Sequence, residues 1–392
     1  MLFNKRTGNN ASTYGLVIDI GSGSIGAAIV ASTQGVEKSE VLWSLRTQLP
    51  LRDAVRFEDV SKDLTTTLSD VLKEAGTKGI QALRKENGIA NVTQALVRVA
   101  SPWSYTVLKT ARATHTGPFV VTPDLLDSLE ERAVREATEA CIKEENEPLS
   151  ILKMTSHTTI GVSINGYSVK EASNKRTSDV GLTEVLCFVY ASIADSITDT
   201  IGRSFPAASV SIHSALETYY TALSSLNVHL ENACLVTVSG EATELAVVHD
   251  GILAHATYTP YGTRTLAREL RDHAGISAVE ALGYLAGEDQ IEHKKNAEAI
   301  EEVFELFETN LVELFERAGD PLLLPKAIFL QADLSTQTFF QARIARALKR
   351  LSGSVHTVHT ITPDHLSVDG EADLALLLSA HIFHTHTARS DA

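Results

Sequence analysis

Two stretches of this chain follow one plan, and no other feature restricts the possible folds as strongly. Tyr14–Val30, YGLVIDIGSGSIGAAIV, reads as an apolar strand, a turn of Gly21, Ser22, Gly23 and Ser24, and a second apolar strand. Ala233–Val248 repeats it, with a strand to Val238, a turn at Ser239-Gly240-Glu241 and a return strand from Glu244. Asp250-Gly251 then turns the chain into a third strand, Leu253–Tyr258. An internal repeat of this kind predicts two α/β halves of related topology.

Between the repeats, Val55, Val60, Leu64, Leu68, Val71 and Leu72 recur at helical spacing, and the helix is expected to resume to about Lys85 after a break near Gly76. Thr93–Val99 reads as a buried strand and Ser104–Thr114 as an edge strand. Thr122-Pro123 opens a helix, with the threonine as its cap. Strands near Ser150–Ser156, Thr159–Ile164 and Val180–Tyr190 and a helix over Ile193–Ile201 complete a compact α+β insert. Ser211–Leu226, containing Glu217, is expected to be helical, as are Thr263–His273, Ser277–Leu285, Ala297–Ala318 and Leu374–Phe383; Lys326–Leu330 is a short strand. Three units result: 1–96, 97–205 and 206–392. The first ten residues and the histidine-rich end (His356, His359, His365, His381, His384, His386) are expected to be solvated tail or core positions rather than a metal site.

Composition excludes several classes of function. The 392 residues carry 49 acidic against 34 basic side chains, a net charge of −15, which disfavours nucleic acid as a partner. No apolar run reaches the roughly 18–20 residues of a membrane span. The start, MLFNKRTGNNAS, lacks the apolar core of a secretory signal; Leu2 and Phe3 beside Lys5 and Arg6 make only a weak membrane contact. Cys141, Cys187 and Cys234 are too few and too scattered for a disulfide framework, so a cytoplasmic protein is expected. Ser101 and His157 lack the G-x-S-x-G elbow that a hydrolase of that type needs.

Two readings fit the turn after Asp19. Backbone amides of a Gly/Ser turn can converge on an anion, with Ser22 and Ser24 adding hydroxyls and Asp19 holding a metal-bound water. Alternatively the glycines only satisfy the geometry of a plain hairpin. Walker-type GK[ST] is absent. GLVIDIGSGSIGAAIV resembles the first phosphate motif of the actin-like ATPase superfamily, in particular its FtsA-type cell-division and PilM-type pilus assembly branches. Val97 to about Phe205 is similar in position and element order to the SHS2-like insert of those proteins, and CLVTVSGEATELAVVHDGILAHATYTPYGTRTLAREL to the second phosphate motif and the helix after it.

That resemblance implies an actin-like (ribonuclease H-like) two-domain α/β fold with an α+β insert in the first domain. It implies ATP with Mg²⁺ bound by Asp19, Gly21, Ser22, Gly23, Ser24, Gly240, Thr243 and Gly262, with Asp19 serving the metal and Glu217 either facing the nucleotide or lying on a solvated helix face. The second motif departs from the family's pattern. Thr237 stands where an aspartate is expected and Ser239 where a glycine is, while Ala332, Asp333 and Leu334 replace the glycines of the adenosine motif. Weak binding and slow or absent hydrolysis are therefore expected, unless Glu241 or Glu244 reaches the metal. The implied role is an FtsA-type scaffold at the inner face of the membrane, recruited through partners and capable of self-association. A PilM-type protein holding an inner-membrane protein's tail and an ATPase driving polymer assembly are the alternatives. The chain's end, HTHTARSDA, lacks the amphipathic membrane helix of FtsA-type proteins.

Overall fold

The computed structural model describes residues 12–53, 56–144, 151–226, 228–287 and 296–389. The expected tails 1–10 and 390–392 and the Leu2/Phe3 contact lie outside these residues. The chain opens with the antiparallel strands β1 (Ser12–Ile20), β2 (Ser24–Thr33) and β3 (Ser39–Gln48). Helix α1 (Phe57–Glu74) runs through a single π turn into α2 (Ile80–Glu86), and β4 (Gln94–Val99) returns parallel to β1. Next come β5 (Ser104–Val120), α3 (Pro123–Glu144), β6 (Leu152–Ile164), β7 (Tyr167–Val169), β8 (Arg176–Tyr190) and α4 (Ala191–Ser204). Strand β9 (Ser209–Ser214) leads into α5 (Ala215–Ser225), followed by β10 (Asn232–Val238), β11 (Thr243–His249) and β12 (Ile252–Thr259). Helices α6 (Thr263–Ala274), α7 (Ala278–Leu285) and α8 (Ala297–Arg317) precede β13 (Ala327–Gln331), α9 (Gln337–Ser352) and β14 (Thr357–Thr360). The two-residue β15 (Val368–Asp369) and α10 (Leu374–Arg389) complete the described chain.

The repeat in the sequence is a repeat in topology. One sheet has the order β15-β3-β2-β1-β4-β9 and the other β12-β11-β10-β13-β14, each an antiparallel meander continued by two parallel strands. Strands β1 and β2 read as continuous apolar runs because both faces of their sheet are covered. Leu16, Ile18 and Ile20 pack with α1 and α4 on one side. Val17, Ala28 and Val30 pack on the other with α5, α10 and residues of the second sheet such as Leu235 and Val248. Helices α6, α8 and α9 cover the far face of the second sheet. A third sheet, β5-β8-β6-β7, carries α3 and has its own small core around Ala111, Leu129, Val180 and Leu182.

Several expectations require correction. Val97 lies inside β4, and Ile193, Ile197 and Ile201 of α4 belong to the first core, so the separate sheet is confined to residues 104–190. Residues 206–392 do not all serve the second half, because β9 and β15 pair into the first sheet. The expected break near Gly76 is a π turn, Ala75–Gly79, rather than a chain break, and Gly79 is its constrained glycine, since a Cβ there would lie 2.8 Å from Ile29 Cγ1. Ser211–Leu226 is not one helix. Its alternating start joins β4 as β9, and Ser214 caps α5 by accepting the Glu217 amide at 3.1 Å. Helix α9, with Phe340, Ile344 and Leu348 buried, had no counterpart in the expected elements. The last helix continues past Phe383, and His381 and His384 within it are core positions, the second of the two expected alternatives.

Candidate functional site

Both repeated turns face one cavity of about 260 Å³ between the two main sheets. Asp19, Gly21, Gly23 and Ser24 line it from the first turn, and Thr237, Ser239 and Gly240 from the second, as expected for a shared site. The turns also touch. A Cβ built on Gly240 would lie 2.8 Å from both Cα and N of Gly23, and Ser22 Oγ is 2.9 Å from Ser239 Oγ. The Glu241 amide donates to Ser22 Oγ at 2.8 Å.

Two of the turn amides that could face an anion have protein acceptors. Gly21 N donates to Ser24 O at 3.0 Å and Ser239 N to Ala242 O at 2.9 Å. The first amides of α6 follow the same rule, with Thr263 N donating to Ser239 O and Arg264 N to Gly240 O at 2.7 Å. Gly262 is required for this contact: a Cβ there would stand 2.3 Å from Ser239 O. Its smallness serves backbone packing.

Asp19 is buried, 3% exposed, and both its oxygens are bound by arginines. Arg98, opposite it in the parallel ladder, donates to Oδ1; Arg46 Nη2 donates to Oδ2 at 2.7 Å. Burial alone would raise the Asp19 carboxyl, but the Arg98 and Arg46 guanidiniums outweigh it and hold it below the usual carboxylate range. Arg46 also grips Asp373 through two bonds of 2.8 Å and Ser24 Oγ at 2.7 Å. The equivalent ladder pair in the second half is neutral, Thr237 opposite Gln331. The two pairs join where Arg98 Nη2 donates to Gln331 Oε1 at 2.6 Å.

Arg264, on α6, reaches across to the first half, donating to Gly23 O at 2.5 Å, Leu49 O at 2.7 Å and Pro50 O at 3.0 Å. Arg46, Arg98, Arg264, Asp373 and Gln331 were not among the expected site residues. The signal for Arg98 lay in QALVRV, where a charge within an apolar strand demands a buried partner.

Other expected residues serve elsewhere. Thr243 is fully buried and donates to Tyr261 O at 2.7 Å, away from the cavity. Glu217 turns to the insert, accepting from Ser156 and Thr158 at 3.1 Å with His213 Nδ1 at 3.0 Å. Glu241 is paired with Arg268 and accepts from Thr265 at 3.1 Å. Glu244 accepts from Ser101 at 2.9 Å and Thr237 at 3.0 Å; burial raises its pKa despite these bonds. Ala332 is buried and Leu334 is half exposed, so of the three only Asp333 lines the cavity.

No protein-family model matches the sequence, and no curated protein matches it. Among solved structures the chain is similar to a chain of the PilM–PilN type IV pilus biogenesis complex, with a TM-score of 0.58 and 12% identity over 94% of this chain and 98% of that one. It is also similar to a Bacteroides thetaiotaomicron protein of actin-like ATPase fold and unknown function (TM-score 0.48, 11% identity, 95% and 96% covered). A third is the ethanolamine utilization protein EutJ of Carboxydothermus hydrogenoformans (TM-score 0.47, 12% identity, 97% and 91% covered). The fold is shared with the chain of the PilM–PilN complex.

The resemblance of the sequence motifs implies a nucleotide with a divalent metal, and the residues that line the cavity do not fit one. The space between the turns is filled by backbone and by two serines. The expected metal ligand is consumed by two arginines. Arg46 and Arg98 are already paired with Asp19 and Asp373, and Arg264 is bound to three backbone carbonyls.

Proposed function

We propose that this protein is a scaffold of the actin-like class, cytoplasmic and peripheral at the inner face of the membrane. It holds the cytoplasmic segment of a membrane-embedded partner. Its work is binding rather than nucleotide turnover. The observation that carries this reading is the end-to-end likeness to a chain of the PilM–PilN complex: 94% coverage of this chain cannot omit the four-stranded insert. A pilus-assembly role is therefore preferred to the FtsA-type division role that the motifs equally suggest, and the insert is read as SHS2-like. No helix among the described residues is long and apolar enough to cross a membrane, so the membrane is reached through the partner.

The test is in-cell crosslinking of the tagged full-length protein, followed by purification from detergent-solubilised membranes. Recovery of one integral membrane protein, whose synthetic cytoplasmic segment then binds the purified scaffold, is expected. Recovery of soluble proteins alone would overturn the reading.

A further inference from the structure

We infer that the cleft is held shut by the chain itself, with Arg98 and Arg46 standing where a divalent metal would meet Asp19 and the Gly23–Gly240 contact standing where phosphates would lie. Side chains bridge the two halves. Arg98 of the first sheet bonds Gln331 of the second at 2.6 Å, and Ser22 bonds both Ser239 and the Glu241 amide. Arg264 ties α6 to three carbonyls of the first half.

These bridges account for the groups that would otherwise bind ligand. A buried carboxylate already neutralised by two guanidiniums offers a hard cation little net attraction, and the two positive charges beside it repel one. At the Gly240 turn, an added methyl group would stand 2.8 Å from the facing backbone, so the two turns are in direct contact with nothing between them. The substitutions in the second motif fit the same account, since Thr237 and Ser239 are engaged with Glu244, Ser22 and the Ser101 carbonyl. The two halves thus stay joined without nucleotide, whichever partner the protein carries.

The experiment uses the full-length protein. Thermal unfolding is followed with millimolar MgATP, MgADP, Mg²⁺ or Mn²⁺, together with hydrogen exchange of residues 21–24 and 239–241 with and without MgATP. The expected result is no midpoint shift and turn amides protected to the same degree with or without nucleotide. At such concentrations a micromolar ligand stands at about 1,000 times its Kd and moves the midpoint by several degrees, a result that would overturn the proposal. So would turn amides that exchange freely until MgATP is added.

The double variant R46M/R98M carries the same logic further. If it folds, it frees Asp19, and Mn²⁺ should raise its midpoint; adding D19N should abolish that rise. A folded double variant indifferent to Mn²⁺ would show that the arginines do not occupy a metal's place. Should it fail to fold, the wild-type titrations and exchange decide the matter alone. Failure of partner capture would leave all these readouts untouched.

Discussion

Gly23 and Gly240 meet backbone to backbone across the cleft, so that a methyl group on Gly240 would sit 2.8 Å from the Cα of Gly23. The contact joins the two turns that the repeat in the sequence places in equivalent positions. It makes the cleft a packed interface, and its consequences can be measured by single substitutions.

Gly240→Ala should force the turns apart and destabilise the protein by about 1–3 kcal/mol, as overpacking does elsewhere. Gly76→Ala is the control: nothing lies within 4 Å of its Cβ position, so it should be neutral or slightly stabilising. Denaturant midpoints at constant m-value would separate the two. Equal effects would contradict the close contact.

Asp19→Asn leaves two guanidiniums facing a neutral amide. Arg98 is 5% exposed in its side chain, and breaking such a buried pair typically costs about 3–5 kcal/mol. Removing the exposed Lys38–Asp369 pair with Lys38→Ala should change stability by about 0–1 kcal/mol. Chemical unfolding of both variants checks the contrast.

Glu244 supplies a pH dependence of definite sign. Burial raises its folded pKa above the unfolded value, so its contribution to stability is fully present below the unfolded pKa and declines as pH rises through the folded one. Glu244→Gln should match wild type near pH 4 and exceed it at pH 8. Unfolding midpoints measured across that range would reveal the crossover, and a Gln variant that is less stable at pH 8 would refute it.

The His213–Glu217 pair behaves oppositely in origin but alike in sign. Burial would lower the imidazole pKa, yet the bond to Glu217 and its charge outweigh that and raise it. The pair's contribution is fully present below the unfolded value of about 6.5 and is lost as pH rises through the folded one. The stability difference between wild type and Glu217→Gln should therefore be larger at pH 6 than at pH 8.5.

How much of this was legible in the sequence depended on whether an element carried its own signal. Strands β1, β2, β10 and β11 were legible because burial on both faces writes an apolar run, and Asp250-Gly251 because both residues adopt positive φ. Thr237 and Ser239 stood out against the motif they depart from. The arginines did not, because the partner of Arg46 or Arg98 is set by strands far apart in the chain. Ser209–Ser214 was misread since its alternation, S-V-S-I-H-S, is short and adjoins a strong helix signal. The histidines of α10 could be read as solvated tail or core; the choice depends on partners such as Ser32 and Ser225, which local sequence does not disclose.

Helix α10 also bears on how the chain is made. The Phe383 ring occupies the space above Gly15, where a Cβ would lie 2.3 Å from it, and the face of β1 and β2 around Val17 and Val30 is covered by this helix. At ordinary translation rates the ribosome needs on the order of 20–70 s to travel from one of those residues to the other. Throughout that interval the part of this face that α10 covers lacks its last layer, so the apolar surface around Gly15 and Val17 is completed only when the final residues have been made.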